Sequence, residues 1–337
     1  MNLLEQQAAN RRRTWLVMAL FVLVFVIIGF GVDAFIIGDL QSSMPIATIA
    51  ALAIGGGRAW WSLRYGDRAV LGSASAEPID DRLARATTDD ERLRYRQLQN
   101  VVEEMAIAAG IPAPKLYVIP DSDPNAFATG PDPAHASIAV TDGLLSTLNR
   151  EELQGVVAHE MGHIRNLDIR LMMVVAALVG AILLLADWSG RALRFGGRGS
   201  SRGRDRSNGG AGAAGLVLFA IWIVAIILAP MIGQLLALAV SRRREYQADA
   251  TGAELTRNPM ALADALEKIE DAVEPTPAIK RGTAHLCIAD PLGKEAEDGE
   301  GAWARMWSTH PPMARRIAAL KEMALMPQNP TIPTAGR

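Results

Sequence analysis

Cysteine is almost absent, with Cys287 the single thiol in 337 residues. That excludes an internal disulfide framework and a cysteine-rich zinc module. It also suits a domain on the cytoplasmic side of a membrane. Charge bias is missing too. Thirty-four basic residues against 36 acidic ones leave a net charge of −2, which gives no pull towards nucleic acid or an acidic partner. What a few long stretches lack is charge of either sign. Half of the residues are hydrophobic, and many of them fall in those stretches rather than being spread along the chain. That pattern marks a membrane protein carrying a soluble domain. The length allows a sizeable core or two modest domains.

Residues 14–32 (TWLVMALFVLVFVIIGFGV) are uncharged and follow Arg11, Arg12 and Arg13. A secretory signal peptide has the same charged start and apolar core. This stretch has spanning length, however, and a second apolar stretch follows it without a clean small-residue cleavage site. A retained anchor is the expectation. Residues 40–57 (LQSSMPIATIAALAIGGG) end at Arg58, Trp60 and Trp61, residues suited to a membrane interface. The two segments predict a hairpin. Its connection is acidic and its flanks are rich in arginine, which places the N-terminus and residue 58 onwards in the cytoplasm.

A third stretch, 171–186 (LMMVVAALVGAILLLA), is short for a span. The fourth, 211–240, contains Pro230, which a membrane helix accommodates as a kink. Between them RALRFGGRGSSRGRDRSNGG holds six arginines. If all four segments span, this loop falls outside the cytoplasm, against the positive-inside rule. Either the first hairpin sets the topology, or the third and fourth segments form a re-entrant or protein-packed hairpin. Both readings stay open. The loop itself reads as flexible rather than as an RNA-binding element.

Residues 75–95 are charged and read as a linker running into a helix. Helical apolar spacing over 91–109 stops at Gly110, with Pro112 beyond. KLYVI (115–119) and SIAVTDG (137–143) read as strands, with the turn-forming DPNAFATGPDPAH between them. Asn149 can cap the next helix, and Glu152 can reach back to complete a capping box. That helix can run unbroken from Arg150 into the third apolar segment.

Within it, His159-Glu160-Met161-Gly162-His163 has the pattern H-E-x-x-H. On a helix, residues four apart share a face, so both imidazoles can reach one ion. Glu160 can then hold a water on that ion and take its proton. Two surface histidines on an amphipathic helix would give the same pattern without a metal. A catalytic zinc also needs a third protein ligand. A third histidine six residues on is absent, because position 169 is isoleucine. His135, His285 and His310 are isolated. A carboxylate on a second helix is the remaining option. In SRRREYQAD (241–249), Glu245 and Asp249 are four apart and share a face. One can ligate zinc while the other takes a hydrogen bond from a ligating imidazole. The arginines beside Glu245 equally fit a solvated charge cluster, and spacing alone does not decide.

Four stretches together carry a resemblance: NAFATG (125–130), HEMGH (159–163), SRRREYQADATGAELTRNP (241–259), and STHPP with RRI (308–317). In that order they resemble the HtpX-type membrane zinc metalloproteases, whose superfamily includes the type I CAAX prenyl proteases. The similarity runs over about residues 14–322. The Arg/Gly loop, residues 75–92, the acidic run 293–301 and the tail fit it poorly. The resemblance implies that His159, His163 and Glu245 ligate one zinc per chain, with Glu160 as general base. It implies Asp249 as the carboxylate partner of a ligating histidine, His159 by analogy with other zincins. Asn125, Ala126, Phe127 and Ala128 look like the edge strand that pairs with substrate backbone. His310 and Arg316 match the C-terminal motif and are expected to support the site or stabilise the oxyanion. A loop histidine before Pro-Pro also fits a structural role. His135 and His285 are expected to be ordinary surface or packing residues. Trp303 and Trp307 are expected to pack near the C-terminal motif.

The expected architecture is a mainly α integral membrane protein. Two helical hairpins lie in or at the membrane, beside a cytoplasmic zincin-like α+β metalloprotease domain with a small sheet. The divisions are a hairpin at 1–60, protease segments at 61–170 and 241–322, a second hairpin at 171–240, and a flexible tail at 323–337. The expected function is zinc-dependent endopeptidase action in the quality control of misfolded membrane proteins under stress. Expected partners are unfolded or membrane-protein substrates and the lipid bilayer, with no nucleic acid. The expected place is a bacterial-type inner membrane, with the site facing the cytoplasm. The same motifs fit a processing protease of membrane-associated substrates. Intact ligand and base positions argue against a non-catalytic scaffold. The apolar segments offer no histidine or acid to carry zinc across, which argues against a transporter.

Overall fold

A computed structural model describes residues 45–173, 244–272, 287–289 and 311–325, with Ile223 and scattered positions from Ala8 to Asp33. The chain divides into two compact units, one joining Met1–Asp67 to Arg170–Ala239 and the other Arg68–Ile169 to Val240–Arg337.

Helix α1 spans Ile46–Ser73. It takes up most of the second apolar segment and does not stop at Arg58, because the residues after it continue the helix through Trp60 and Trp61. In the first unit, the buried Asp33 carboxylate holds the start of α1. It accepts the Thr48 backbone N–H at 2.8 Å and the Thr48 hydroxyl at 2.7 Å. Among the described residues, no helix is long and apolar enough to cross a membrane. The first apolar segment is described only at scattered positions. Nearly all of the third and fourth, with the Arg/Gly loop, lies outside the described residues.

The second unit is mostly helical with a small mixed sheet. Its strands are β1 (Glu77–Pro78), β2 (Lys115–Ile119), β3 (Ala126–Thr129) and β4 (Ser137–Thr141), in the order β1-β2-β4-β3. β2 runs parallel to β4, while β1 and β3 are antiparallel to their neighbours. Every residue of β4 is buried, so it reads as an apolar run rather than an alternating one. Helix α2 (Ile79–Arg85) and helix α3 (Asp89–Ala109) precede β2. α3 opens on a Thr88–Glu91 capping box and closes on Gly110, whose φ of 67° suits glycine. α4 (Asp142–Thr147) follows β4 directly, and α5 (Arg150–Arg165) carries the H-E-x-x-H motif. Residues 244–256 form α6, and α7 (Pro259–Asp271) and α8 (Met313–Leu325) follow in the described part.

α5 packs against α3, α7 and β3, and α7 packs against α8. The shared core includes Leu98, Val101, Val156, Met161, Leu262 and Leu320. Residues 155–164 of α5 are buried without a break, as expected of a helix covered on all sides.

Several expectations differ from this fold. Residues 75–95 do not form a linker. Glu77 and Pro78 pair with β2, and Ile79 and Leu83 tuck α2 onto the core. The stretch before β4, turn-forming by composition, contains the strand that the resemblance implied at Asn125–Ala128, here β3, because pairing with β4 outweighs local composition. The motif helix does not run on unbroken. It ends at Arg165, Asn166 and Leu167 make a turn, and helix resumes at residue 168. Helix also persists to Leu325, so α8 passes the expected start of the tail at 323.

Candidate metal centre

The start of α5 is fixed by its cap. The Asn149 side chain accepts the Glu152 N–H at 3.0 Å, and Glu152 accepts the Asn149 N–H at 2.9 Å. Lys268 of α7 pairs with the same Glu152 carboxylate at 2.7 Å. Further along, Gly162 lets α6 approach. A Cβ there would lie 3.2 Å from Thr251 Cβ and 3.3 Å from Ala248 Cα. This close crossing brings Glu245 over the motif histidines.

His159, His163 and Glu245 are all buried, and one donor atom from each lies within 4.8 Å of the others. The two Nε2 atoms are 3.2 Å apart. Glu245 Oε1 is 3.5 Å from His163 Nε2, and Oε2 is 3.7 Å from His159 Nε2. Tetrahedral ligands at about 2.0–2.1 Å from zinc stand roughly 3.3–3.4 Å from one another. The three separations therefore fit a zinc-sized ion. Nitrogen and carboxylate oxygen donors are also the set such an ion takes.

The outward ring nitrogens are held as well. His159 Nδ1 lies 2.9 Å from Asp249 Oδ1, and His163 Nδ1 lies 3.3 Å from Asp168 Oδ2. Both contacts leave Nε2 facing the shared point. Arg316, fully buried, donates to Asp249 from Nε at 2.9 Å and from Nη2 at 2.7 Å. Its Nη1 donates to the Ile288 carbonyl at 2.9 Å and lies 3.3 Å from Glu245 Oε2. Glu160 is different. Both of its Oε atoms are buried without a hydrogen-bond partner among the described residues.

A family model described as peptidase family M48 matches residues 92–324. The chain belongs to peptidase family M48. It is a metalloprotease of the HtpX type, acting on polypeptide. A protease HtpX homolog of Thermoanaerobacter pseudethanolicus is 42% identical over 323 residues, covering 96% of this chain and 98% of that one. A protease HtpX homolog of Caldanaerobacter subterraneus subsp. tengcongensis is 40% identical over 323 residues, again covering 96% and 98%. The crystal structure of S. mikatae Ste24p aligns with a TM-score of 0.42 at 20% identity, over 81% of this chain and 64% of that one, a likeness too slight to argue from.

Of the residues singled out in this M48 chain, the structure brings His159, Glu160, His163, Glu245, Asp249 and Arg316 into one buried cluster. His285 and His310 lie outside the described residues. His135 is exposed and paired with Asp132 at 2.8 Å. Asn125 and β3 lie beside α5, but the outer edge of β3 is not open along its length. Phe127 bridges Cys287, and Ile288 N–H donates to the Ala126 carbonyl at 2.9 Å. Asn125 Nδ2 donates to the Ala289 carbonyl at 3.3 Å.

Two residues escaped the sequence reading. Asp168 faces His163, and Arg244 Nε pairs with Asp168 Oδ1 at 3.2 Å. The arginines beside Glu245 suggested a solvated cluster, yet Arg244 is 2% exposed. A buried arginine needs a carboxylate nearby, and its burial is visible only in the structure.

Burial pushes the Glu160 carboxyl up to about 7, and Glu245 adds to the rise while His163, Arg316 and the nearby Ala128 backbone N–H oppose it. Burial opposes charge on His163, but Asp168, Glu245 and Glu160 outweigh it and raise its pKa to about 9. Burial lowers His159, with Asp249 offsetting part of the fall. Burial would raise Asp249, yet Arg316 and His159 outweigh it and hold the carboxyl low.

The Glu160 and His163 shifts act in one direction in protein stripped of metal. Each folded pKa lies above its unfolded value, so stability falls as pH rises through about 4.5–7 for Glu160 and 6.5–9 for His163. Each shift corresponds to roughly 3 kcal/mol. Chelator-treated protein is expected to melt lower at pH 9 than at pH 6. Added zinc, which binds the deprotonated ligands, should recover most of the loss at pH 9. A melting temperature that is flat or rising with pH in chelated protein would contradict these electrostatics.

Proposed function

We propose that this metalloprotease is a membrane-bound zinc endopeptidase that removes misfolded or damaged membrane proteins. The observation that carries the reading is the buried His159–His163–Glu245 triangle with the buried Glu160 carboxylate beside it. Held by His159, His163 and Glu245, a zinc ion would supply Lewis acidity for the scissile carbonyl and the attacking water. Three protein ligands leave a position for substrate. Glu160 takes the proton from the water and passes it to the leaving amine. Among the described residues only the Ala128 backbone N–H approaches this carboxylate, which leaves it able to make that exchange.

Asp249 orients His159, and Arg316 holds Asp249. All three guanidinium nitrogens of Arg316 have partners, which favours support of the site over stabilising an oxyanion. The oxyanion role then falls to His310. Substrate backbone adds along the outer edge of β3, at Asn125–Ala128. Pairing at Ala126 requires Cys287–Ala289 to give way, because Ile288 holds that carbonyl.

The membrane reading rests on the apolar segments and on exposed apolar side chains. Leu16, Leu23, Phe30, Ile49 and Ile54 of the first unit all stand exposed, which is costly in water and favourable in lipid. In this reading residues 1–60 and 171–240 form hairpins in the membrane. Residues 61–170 and 241–322 form the protease domain on the cytoplasmic face. His163 precedes the third apolar segment and Glu245 follows the fourth by only a few residues. A substrate held in the same bilayer meets the site at high effective concentration.

The test replaces residues 171–186 and 211–240 with soluble linkers. Cleavage of a small soluble peptide is expected to survive, while cleavage of a membrane-anchored reporter falls at least tenfold. Equal losses on both substrates would remove the case for a membrane-positioned site.

A further inference from the structure

We propose that Asp168 is a positioning residue for the metal centre. Its carboxylate, paired with Arg244, holds the His163 ring with Nε2 turned towards His159 and Glu245. The proposal rests on the metal-centre reading above and adds a residue pair to it.

The contact is built by the backbone rather than by helical spacing. On a continuous helix a residue five after His163 would lie about 140° around the axis from it, off the face that carries the imidazole. The chain avoids this by ending α5 at Arg165 and turning at Asn166 and Leu167. Leu167 takes φ +60°, a left-handed conformation that is unfavourable for a residue with a β-carbon. The turn ends with Asp168 facing the ring of His163, 3.3 Å from Nδ1. Strain at a non-glycine residue persists only where its surroundings impose it.

The second carboxylate oxygen faces a cation. Asp168 Oδ1 lies 3.2 Å from Arg244 Nε, and the two residues are 1% and 2% exposed. An isolated buried carboxylate would cost several kcal/mol, and the guanidinium compensates it. Arg244 directly precedes Glu245. The start of α6 therefore supplies one ligand to the metal and fixes the carboxylate behind another.

The arrangement repeats across the site. His159 has Asp249 at Nδ1 with Arg316 behind it, and His163 has Asp168 at Nδ1 with Arg244 behind it. Each imidazole faces a carboxylate, and each carboxylate faces a buried arginine, which donates two hydrogen bonds to Asp249 and makes an ion pair with Asp168. A carboxylate at Nδ1 fixes the tautomer that leaves Nε2 a lone pair and makes it a stronger donor.

The experiment uses the full chain purified in detergent. Wild type, Asp168→Ala, Asp168→Asn and Arg244→Lys are stripped of metal. They are then titrated with Zn2+ in competition with a chelator, and with Co2+ followed by visible absorption. Melting of each metal-free variant is recorded alongside. Asp168→Ala is expected to bind zinc 10–100-fold more weakly and to shift the Co2+ absorption bands. Asp168→Asn, which can still accept the ring N–H, should recover part of the affinity. Wild-type affinity and spectrum in Asp168→Ala, with a lowered melting temperature, would overturn the proposal and leave a structural ion pair. If Asp168→Ala does not fold, Asp168→Asn and Arg244→Lys decide by the same readouts, and wild-type affinity and bands in both would overturn it. Failure of wild type itself to take up either ion would instead strike the metal-centre reading.

Discussion

Glu160→Gln is expected to lower peptide hydrolysis by roughly 10²–10⁴-fold, the loss typical of removing a general base, while metal stays bound. The side chain is not one of the three clustered donors, and glutamine has nearly its shape. The substitution therefore removes the proton acceptor without opening a cavity or breaking the triangle. Stability should not fall. The buried carboxyl of Glu160 has no hydrogen-bond partner among the described residues, and burial already drives it towards the neutral form. A neutral amide relieves the cost of ionising it above pH 7. Stripped of metal, Glu160→Gln should melt at or above wild type at pH 8. Casein hydrolysis, metal analysis and melting on one preparation check all three expectations. Activity above a tenth of wild type would show that another group takes the proton.

The second large effect concerns β3. Ile288 N–H donates to the Ala126 carbonyl, one residue to either side of the Phe127–Cys287 bridge. That makes Phe127 and Cys287 a non-hydrogen-bonded antiparallel pair, with Cα atoms about 4.5 Å apart. The spacing suits a disulfide. Because Cys287 is the single cysteine, Phe127→Cys creates one defined pair. Oxidation should then lock residues 287–289 onto the strand where substrate is proposed to add. Hydrolysis is expected to fall in proportion to the fraction cross-linked and to return on reduction. Wild type under the same oxidant should be unaffected. Losing a buried phenyl ring costs a few kcal/mol, so oxidised and reduced forms of the same variant are compared with each other. Full activity in the cross-linked form would mean that substrate binds without displacing these residues. Ile288→Pro, which removes the donor to Ala126, provides a second arm and should raise activity.

Local signals in the sequence marked the elements that hold the motif. The Asn149–Glu152 capping box, the apolar spacing that stops at Gly110, and the strand KLYVI all stand where side-chain chemistry within a few residues placed them. The cluster of His159, His163 and Glu245 was legible only in part. Helical spacing joined the two histidines, but no local rule links them to a glutamate 82 residues beyond His163. The resemblance supplied that link. Residues whose conformation depends on distant partners carried no clear local signal. The local composition of β3 reads as a turn, since its strand character comes from pairing with β4, and the strand was expected only through the resemblance. Asp168 was invisible because its contact with His163 depends on a left-handed leucine, a conformation that sequence argues against. Spacing left a solvated charge cluster open for Arg244 because its partner Asp168 lies 76 positions earlier.

The most direct test of the central assignment is the zinc content of purified wild type and Glu245→Ala, measured by elemental analysis after both are offered zinc and dialysed. Wild type is expected to retain one zinc per chain. Glu245→Ala should retain little, because two imidazoles alone hold the ion weakly. A wild type that retains none, or a Glu245→Ala protein that keeps a full equivalent, would contradict a metal centre built from His159, His163 and Glu245.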